Sequence, residues 1–479
     1  LSTHADDFIK GDHEFKFGVS YGVGEGDTVT AGGVNGVYYY RNEYVYQYDY
    51  YGTIYEYIYE YFYRASSRAY HYGAETSTLS AFIDDSWKIT ENLTINVGVR
   101  FDSISSDVPN YPLLDMNWQE TGETIPGIAN IVEWEHFSPR IGFAYRTGDN
   151  GVLRGFYGKF YDGNVTGNWY APPPGPPIWT YEYSSSRNGP WTHYYDWEWH
   201  SNTVDPNLQP PETDQFTVGY EHRIGSDYTL GFQGIWKETK NLIGGEILDD
   251  GVYEMVPWTN PFTGEAIELA SIIEQPTTRK GNRPGAGSLA PAGEKFNQDV
   301  SGAVVTFNKR YSNGWSMMAS YTWSDSNGFL PKPTSEVQGD PFYTGTDGRD
   351  PNNWINAEQA LQNEREHVIQ VQGSWDLPWD LRGTVVYRWL AGKPYNRQLS
   401  VGGMASASPL AQGSQTIIAI PAVSGVTRPD NNIADLGLAR DFEMGQVDLG
   451  VNIKLFNAFN DDSHDWWQTL NVPPGDEFI

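Results

Sequence analysis

The chain has 479 residues, a formal net charge of −30 at pH 7, 39% hydrophobic residues and no cysteine. That length fits two or three ordinary domains or one large barrel. The charge argues against a nucleic-acid partner, and no apolar run approaches the ~18 residues a membrane helix needs, so a helical membrane protein is excluded.

Alternation of period two marks thirteen strand candidates. In order they are His13–Tyr21, Leu79–Lys88, Leu93–Asp102, Phe137–Arg146, Val152–Asp162, Asp214–Ile224, Tyr228–Lys240, Val300–Lys309, Trp315–Ser324, His367–Trp375, Leu381–Tyr395, Ile433–Phe442 and Val447–Leu455. The pattern is cleanest in Leu93–Asp102, where Leu93, Ile95, Val97, Val99 and Phe101 alternate with Thr94, Asn96, Gly98, Arg100 and Asp102. Trp315–Ser324 and Val447–Leu455 alternate in the same way, and Val152–Asp162 keeps the poorest period. Aromatic residues sit near strand ends, among them Phe101, Tyr145, Trp236, Trp323, Trp375 and Trp389.

The connections alternate between short and long. Tight polar turns at Thr90–Asn92, Thr147–Gly151, Gly225–Asp227, Ser312–Gly314 and Phe442–Gln446 are separated by excursions of roughly 35 to 60 residues, far above ordinary loop length. A soluble sandwich has two equivalent ends and no need of this asymmetry. A transmembrane β-barrel has it, with short periplasmic turns and long outer loops. The expected fold is therefore an all-β, antiparallel transmembrane barrel portion spanning residues 1–479, in the outer membrane of a Gram-negative bacterium. Leu1–Lys10 shows no apolar core of a signal peptide. Thirteen strands begin on the turn side and end on the loop side, whereas a closed bacterial barrel has an even number. Further strands of the same gene product, or another chain, are expected to close the wall.

The loops differ in character. Val37–Tyr72 holds fifteen tyrosines interleaved with Glu43, Asp49, Glu56 and Glu60, which predicts a protruding hairpin with tyrosines on one face. Asn164–Pro211 carries a proline run and then Trp191–His200. Val401–Pro429 is rich in Ala, Ser and Gly, which predicts a flexible segment.

Several stretches carry a resemblance. Phe82–Asp102 (FIDDSWKITENLTINVGVRFD) resembles the signature hairpin of TonB-dependent receptors of the Oar-like, carboxypeptidase-regulatory-domain branch. His13–Tyr21, Phe137–Arg146, Leu153–Asp162 and Leu455–Asn460 agree in type and order, together covering about an eighth of the chain directly. The resemblance implies a barrel of about 22 strands, of which these would be about 9 to 21. It also implies that the plug, the first strands and the closing strand have no counterpart here, so that coupling to the TonB system runs through parts outside this chain.

Binding is expected on aromatic loops, because Tyr and Trp offer large, stiff contact area with a polar tip. The candidates are Tyr46, Tyr48, Tyr50, Tyr55, Tyr57, Tyr59, Tyr61, Trp191, Trp197 and Trp199. The plainer reading is a self-packed loop over the barrel mouth. His193, Asp196, Glu198 and His200 form a mixed N/O set for a divalent metal, against a solvated loop. No cofactor is expected beyond a divalent cation at acidic loops facing lipopolysaccharide. Asp84 and Asp85 are adjacent in a strand and point to opposite faces, so they are wall residues rather than a catalytic pair, and no enzyme is expected. Arg100, Arg140, Arg154, Lys237, Arg382 and Arg388 are expected to line the lumen. The leading function is uptake or surface binding of an unidentified ligand by an outer-membrane TonB-dependent receptor. The alternatives are a display or adhesion barrel that transports nothing, and a soluble glycan-binding β-protein.

Overall fold

The computed structural model describes residues 2–30, 37–50, 53–67, 70–115, 118–161, 179–197, 209–241, 243–246, 252–274, 283–286, 297–329, 342–343, 351–361, 365–401, 410–411, 415–423, 427–445 and 447–463. One antiparallel sheet runs through it with fourteen strands in chain order. These are β1 (Ser2–Ala5), β2 (Asp12–Thr30), β3 (Tyr70–Thr90), β4 (Leu93–Val108), β5 (Ile128–Thr147), β6 (Gly151–Tyr161) and β7 (Glu212–Ile224). They continue as β8 (Tyr228–Lys240), β9 (Gln298–Ser312), β10 (Trp315–Phe329), β11 (His367–Leu377), β12 (Leu381–Leu390), β13 (Asn431–Met444) and β14 (Val447–Leu455). A short strand, Glu358–Ala360, adds to the far end of β10.

All thirteen expected strands are present, with two corrections. Ser2–Ala5 pairs with β2 and makes the count fourteen; four residues are too few for a period to register. The strand expected to reach Tyr395 stops at Leu390. β2 and β3 are longer than expected, pairing from Asp12↔Lys88 to Thr30↔Tyr70, because the polar stretch beyond Tyr21 keeps its ladder.

Register separates two faces. One hydrogen-bonded row runs Leu93, Tyr145, Leu153, Tyr220, Phe232, Val305, Tyr321, Ile369, Trp389 across β4 to β12. Its members are apolar or aromatic and many remain open, Phe232 at 50% and Val305 at 45% exposure. The row starts at Leu93, beside a short turn, and ends at Trp389, beside a long connection. Such a climb is the stagger that tilted barrel strands require. The next row on the other face reads Arg146, Val152, Glu221, Gly231, Thr306, Ser320, Gln370, Arg388. It is mostly polar or small.

The apolar face has limits along the strand. On β8 it runs Tyr228, Leu230, Phe232, Gly234, Trp236 and then turns to Glu238 and Lys240. Eight steps from Tyr228 to Trp236 at about 3.4 Å each, tilted about 40°, rise roughly 21 Å, close to the ~25 Å apolar band of outer-membrane barrels.

Short turns close each hairpin. Thr90 Oγ1 accepts from the N–H groups of Asn92 (3.2 Å) and Leu93 (3.0 Å). Asn313 and Gly314 both take positive φ (52° and 79°), the backbone of a type I′ turn, which Asn-Gly adopts at low cost. Neighbouring turns are tied sideways. Asp227 accepts from Arg310 Nε (2.9 Å) and Ser312 Oγ (2.6 Å). Lys309 is buried, and its ammonium donates to the carbonyls of Ser312 (2.7 Å) and Trp315 (2.9 Å).

Packed cores lie beyond the apolar band, on the long-connection side. Ala74, Val108, Tyr111, Ile131, Val132 and Trp134 form one. Leu269, Val401, Leu410 and Ile417 form another, with Trp258, Ile267 and Ile355 against it. The second joins three connections through amide side chains. Asn352 exchanges two 2.8 Å bonds with the backbone of Ala270, Asn260 donates to Ala419 O (2.7 Å) and Asn356 to Ile418 O (2.8 Å). The expectation of a flexible Val401–Pro429 is corrected in its described part: Gln415–Ile420 pairs with Arg397–Val401 and buries Ile417 and Ile418. Ile417, Ile418 and Ile420 supply apolar surface that the small residues around them conceal in a composition count.

Candidate functional site

The tyrosine-rich segment folds as the expected hairpin. Val37–Tyr50 pairs with Thr53–Ser67 without a register break, setting Tyr48↔Tyr55, Tyr46↔Tyr57 and Tyr44↔Tyr59. Alternation places Tyr50 and Tyr61 on the face of those three pairs. The hairpin forms because Tyr and Val favour a pleated strand and cross-strand aromatic pairs stabilise it.

This hairpin does not stand alone. Trp179–Ser184, from the next long connection but one, pairs with Thr53–Ser67, and Thr192–Trp197 pairs in turn with Trp179–Ser184. The result is a four-stranded sheet built from two connections. Register carries the aromatic face onward: Tyr63↔Tyr183, Ala65↔Tyr181↔Tyr195 and Trp179↔Trp197. The other face holds Glu43, Glu56, Glu60, Arg64 and Glu182 by register. There the Arg64 guanidinium forms a two-bond pair with the Glu182 carboxylate, Nη2 to Oε1 at 2.9 Å, and lies 4.8 Å from the Trp191 ring centroid.

The expected binding set is thus partly assembled. By register Tyr46, Tyr48, Tyr50, Tyr55, Tyr57, Tyr59, Tyr61 and Trp197 fall at positions of one face, whereas Trp191 packs on Arg64, whose position belongs to the other. Trp199 lies outside the described residues, as do Glu198 and His200 of the metal set. A bulge sets His193 opposite Glu182 and Asp196 opposite Thr180. Among the described residues no three His, Asp or Glu groups come close enough to hold a metal. The joining of the two connections is hard to read from the sequence. Its signal was the alternation of Trp179, Tyr181 and Tyr183, masked by the proline run before it.

On the polar face of the wall, Arg100, Arg140, Arg154, Lys237, Arg382 and Arg388 all fall together by register. Arg100 grips Asp102 (2.8–3.0 Å) and Ser80 Oγ (2.8 Å), while Ser80 donates to Asp102 at 2.5 Å. Buried His136 places Nε2 3.8 Å from the same carboxylate and packs on Tyr161, centroids 4.1 Å apart. Ser80 and His136 both contact Asp102 but from different sides, which is an anchoring network and not a nucleophile–base pair.

Asp84 and Asp85 separate as expected. Asp84 leans over Gly98 on the polar face, with Oδ1 where a Cβ of residue 98 would sit. Asp85 accepts from His13 Nδ1 at 2.7 Å on the apolar face, where the imidazole is stacked between Phe15 and Trp87.

A meander of tilted strands with an apolar outer band, a polar inner face and one-sided long connections defines a transmembrane barrel wall. A family profile described as "Outer membrane beta barrel domain" matches residues 7–392, and the chain belongs to that family. The protein is accordingly placed in the outer membrane of a Gram-negative bacterium. The TonB-dependent transporter Oar of Myxococcus xanthus is 23% identical over an alignment 437 positions long, gaps included, that takes in 80% of this chain and 36% of that protein. Solved structures with similar folds include the ferric-catecholate import receptor Fiu of E. coli K12 (TM-score 0.43, 11% identity, 94% of this chain and 51% of that one). The siderophore receptor PirA of Acinetobacter baumannii is another (TM-score 0.44, 12% identity, 95% and 57%). The chain therefore spans about a third of the curated relative it matches and about half of these solved chains.

Proposed function

We propose that this chain forms a large part of the wall and outer surface of a TonB-dependent receptor, and that its aromatic loop sheet takes the ligand. What carries the reading is the pairing of a one-sided loop architecture with a relative named as a TonB-dependent transporter. The long connections face outward and the short turns face the periplasm. The polar face, with its arginines, then lines a lumen and holds a plug supplied by another part of the protein. Strands β2 to β14 correspond to about 9 to 21 of a wall of about 22, with the short β1 beside the first of them. Acidic residues above the apolar band meet lipopolysaccharide through divalent cations.

Surface labelling tests the orientation. This chain has no thiol of its own. Ser185→Cys should react with an impermeant maleimide on intact cells, and Asp149→Cys only after the outer membrane is broken. The reverse pattern would overturn the assignment. Ligand uptake that survives loss of the TonB system would overturn the coupling, and ligand binding without any uptake would leave a display barrel.

A further inference from the structure

We infer that the tyrosine hairpin is a homotypic interface, in which Val37–Tyr50 pairs with the same strand of a second copy of this chain. Among the described residues the four-stranded loop sheet has two edges, Val37–Tyr50 and Thr192–Trp197. They differ in how they are protected. Thr192–Trp197 has six residues and a bulge, a common way of blunting an edge. Val37–Tyr50 has fourteen residues, seven Tyr and two Val among them, without Lys, Pro or a break in register. An edge of that length and composition is a template for strand addition.

The sequence of the edge is its own complement. An antiparallel pair of identical strands is related by a two-fold axis, and the axis through Val45 fixes every partner. Arg41 then falls opposite Asp49 on both sides of the axis, Glu43 opposite Gln47, and Val45 opposite Val45. On the other face Tyr40 meets Tyr50, Asn42 meets Tyr48 and Tyr44 meets Tyr46. No like charges oppose each other, and tyrosine occupies every even position from 40 to 50 except Asn42. Opposite charges and aromatic pairs directly across are the contacts that stabilise adjacent strands. Because the contact is isologous, it closes at a dimer.

The test uses the full-length receptor in lipid nanodiscs or detergent. Val45→Cys sets one thiol opposite its symmetry mate, so mild oxidation should give a disulfide-linked dimer. Ile58→Cys, on the inner strand of the hairpin, should stay monomeric. Arg41→Asp and Asp49→Arg should each lower the dimerisation constant, measured by sedimentation, by about tenfold or more, and the double exchange should restore it. Heat-modifiability on gels checks that each variant keeps its barrel. An accessible thiol at position 45 that never crosslinks would overturn the inference. So would single charge reversals without effect, or a double exchange that fails to recover the dimer in a folded barrel.

Discussion

Single residues in this wall differ by which face their register gives them. Val97 lies on the apolar face at 49% exposure, and Asn96 beside it lies on the polar face. Val97→Arg is expected to destabilise the full-length barrel in lipid by about 2–4 kcal/mol, the cost of a cation near the bilayer midplane. Asn96→Arg should cost far less, and denaturant titration of both in lipid would expose equal costs if the faces were misassigned. Gly98 is a second such position. A methyl there collides with the Asp84 carboxylate, so Gly98→Ala should force Asp84 aside, whereas Gly98→Ala with Asp84→Ala should recover stability. The reading of Asp84 and Asp85 as wall residues needed only strand alternation. The His13 partner of Asp85, 72 positions away, needed the sheet.

At the scale of elements, the turns are joined across hairpins. Hydrogen bonds from Ser312, Ser226 and Arg310 hold the Asp227 carboxyl down at about 2, below its ordinary 3.8. A depressed folded pKa contributes stability above the ordinary value and loses it as pH falls through the folded one. The clasp between the β7–β8 turn and the end of β9 should therefore persist at pH 5 and open on acidification from about 4 towards 2. Hydrogen exchange at Arg310, whose N–H donates to Asp227 O, would report it, and Asp227→Asn should abolish that acid dependence. The outer connections form elements of their own. Asn352 is buried and bonds both backbone groups of Ala270, so Asn352→Ala should remove both of those bonds, at about 1–3 kcal/mol. Faster proteolysis within 252–274 and 397–420, with an unchanged barrel, is the expected result.

At the scale of the whole molecule, an open sheet cannot rest in lipid. Among the described residues β14 pairs only with β13, and it is exposed along its length. Unpaired backbone groups in hydrocarbon cost several kcal/mol each, so both edges must find backbone partners in the membrane. A structure of the native particle should show β14, and β2 beyond the Lys16 end of its pairing with β1, hydrogen-bonded to further backbone. Direct pairing of these two strands into a small closed barrel would contradict the larger wall.

Period-two alternation determined the thirteen long strands, their faces and the alternation of turn and excursion, because side chains on a strand alternate whatever lies around them. It placed six cationic residues on the polar face for the same reason. It also gave the tyrosine hairpin, where a local turn joins strands of matching pattern. Tertiary structure alone decided the rest. Ser2–Ala5 is a strand only because β2 offers an edge. The Ala/Ser/Gly-rich segment after Val401 is packed only because Leu269 and Asn352 meet it from other connections. Trp191 lies off the tyrosine face because a bulge in Thr192–Trp197 shifts the alternation, and its ring meets Arg64, 127 positions earlier. Contacts of that separation leave no period in the chain, since neither partner's neighbours need change to accommodate them.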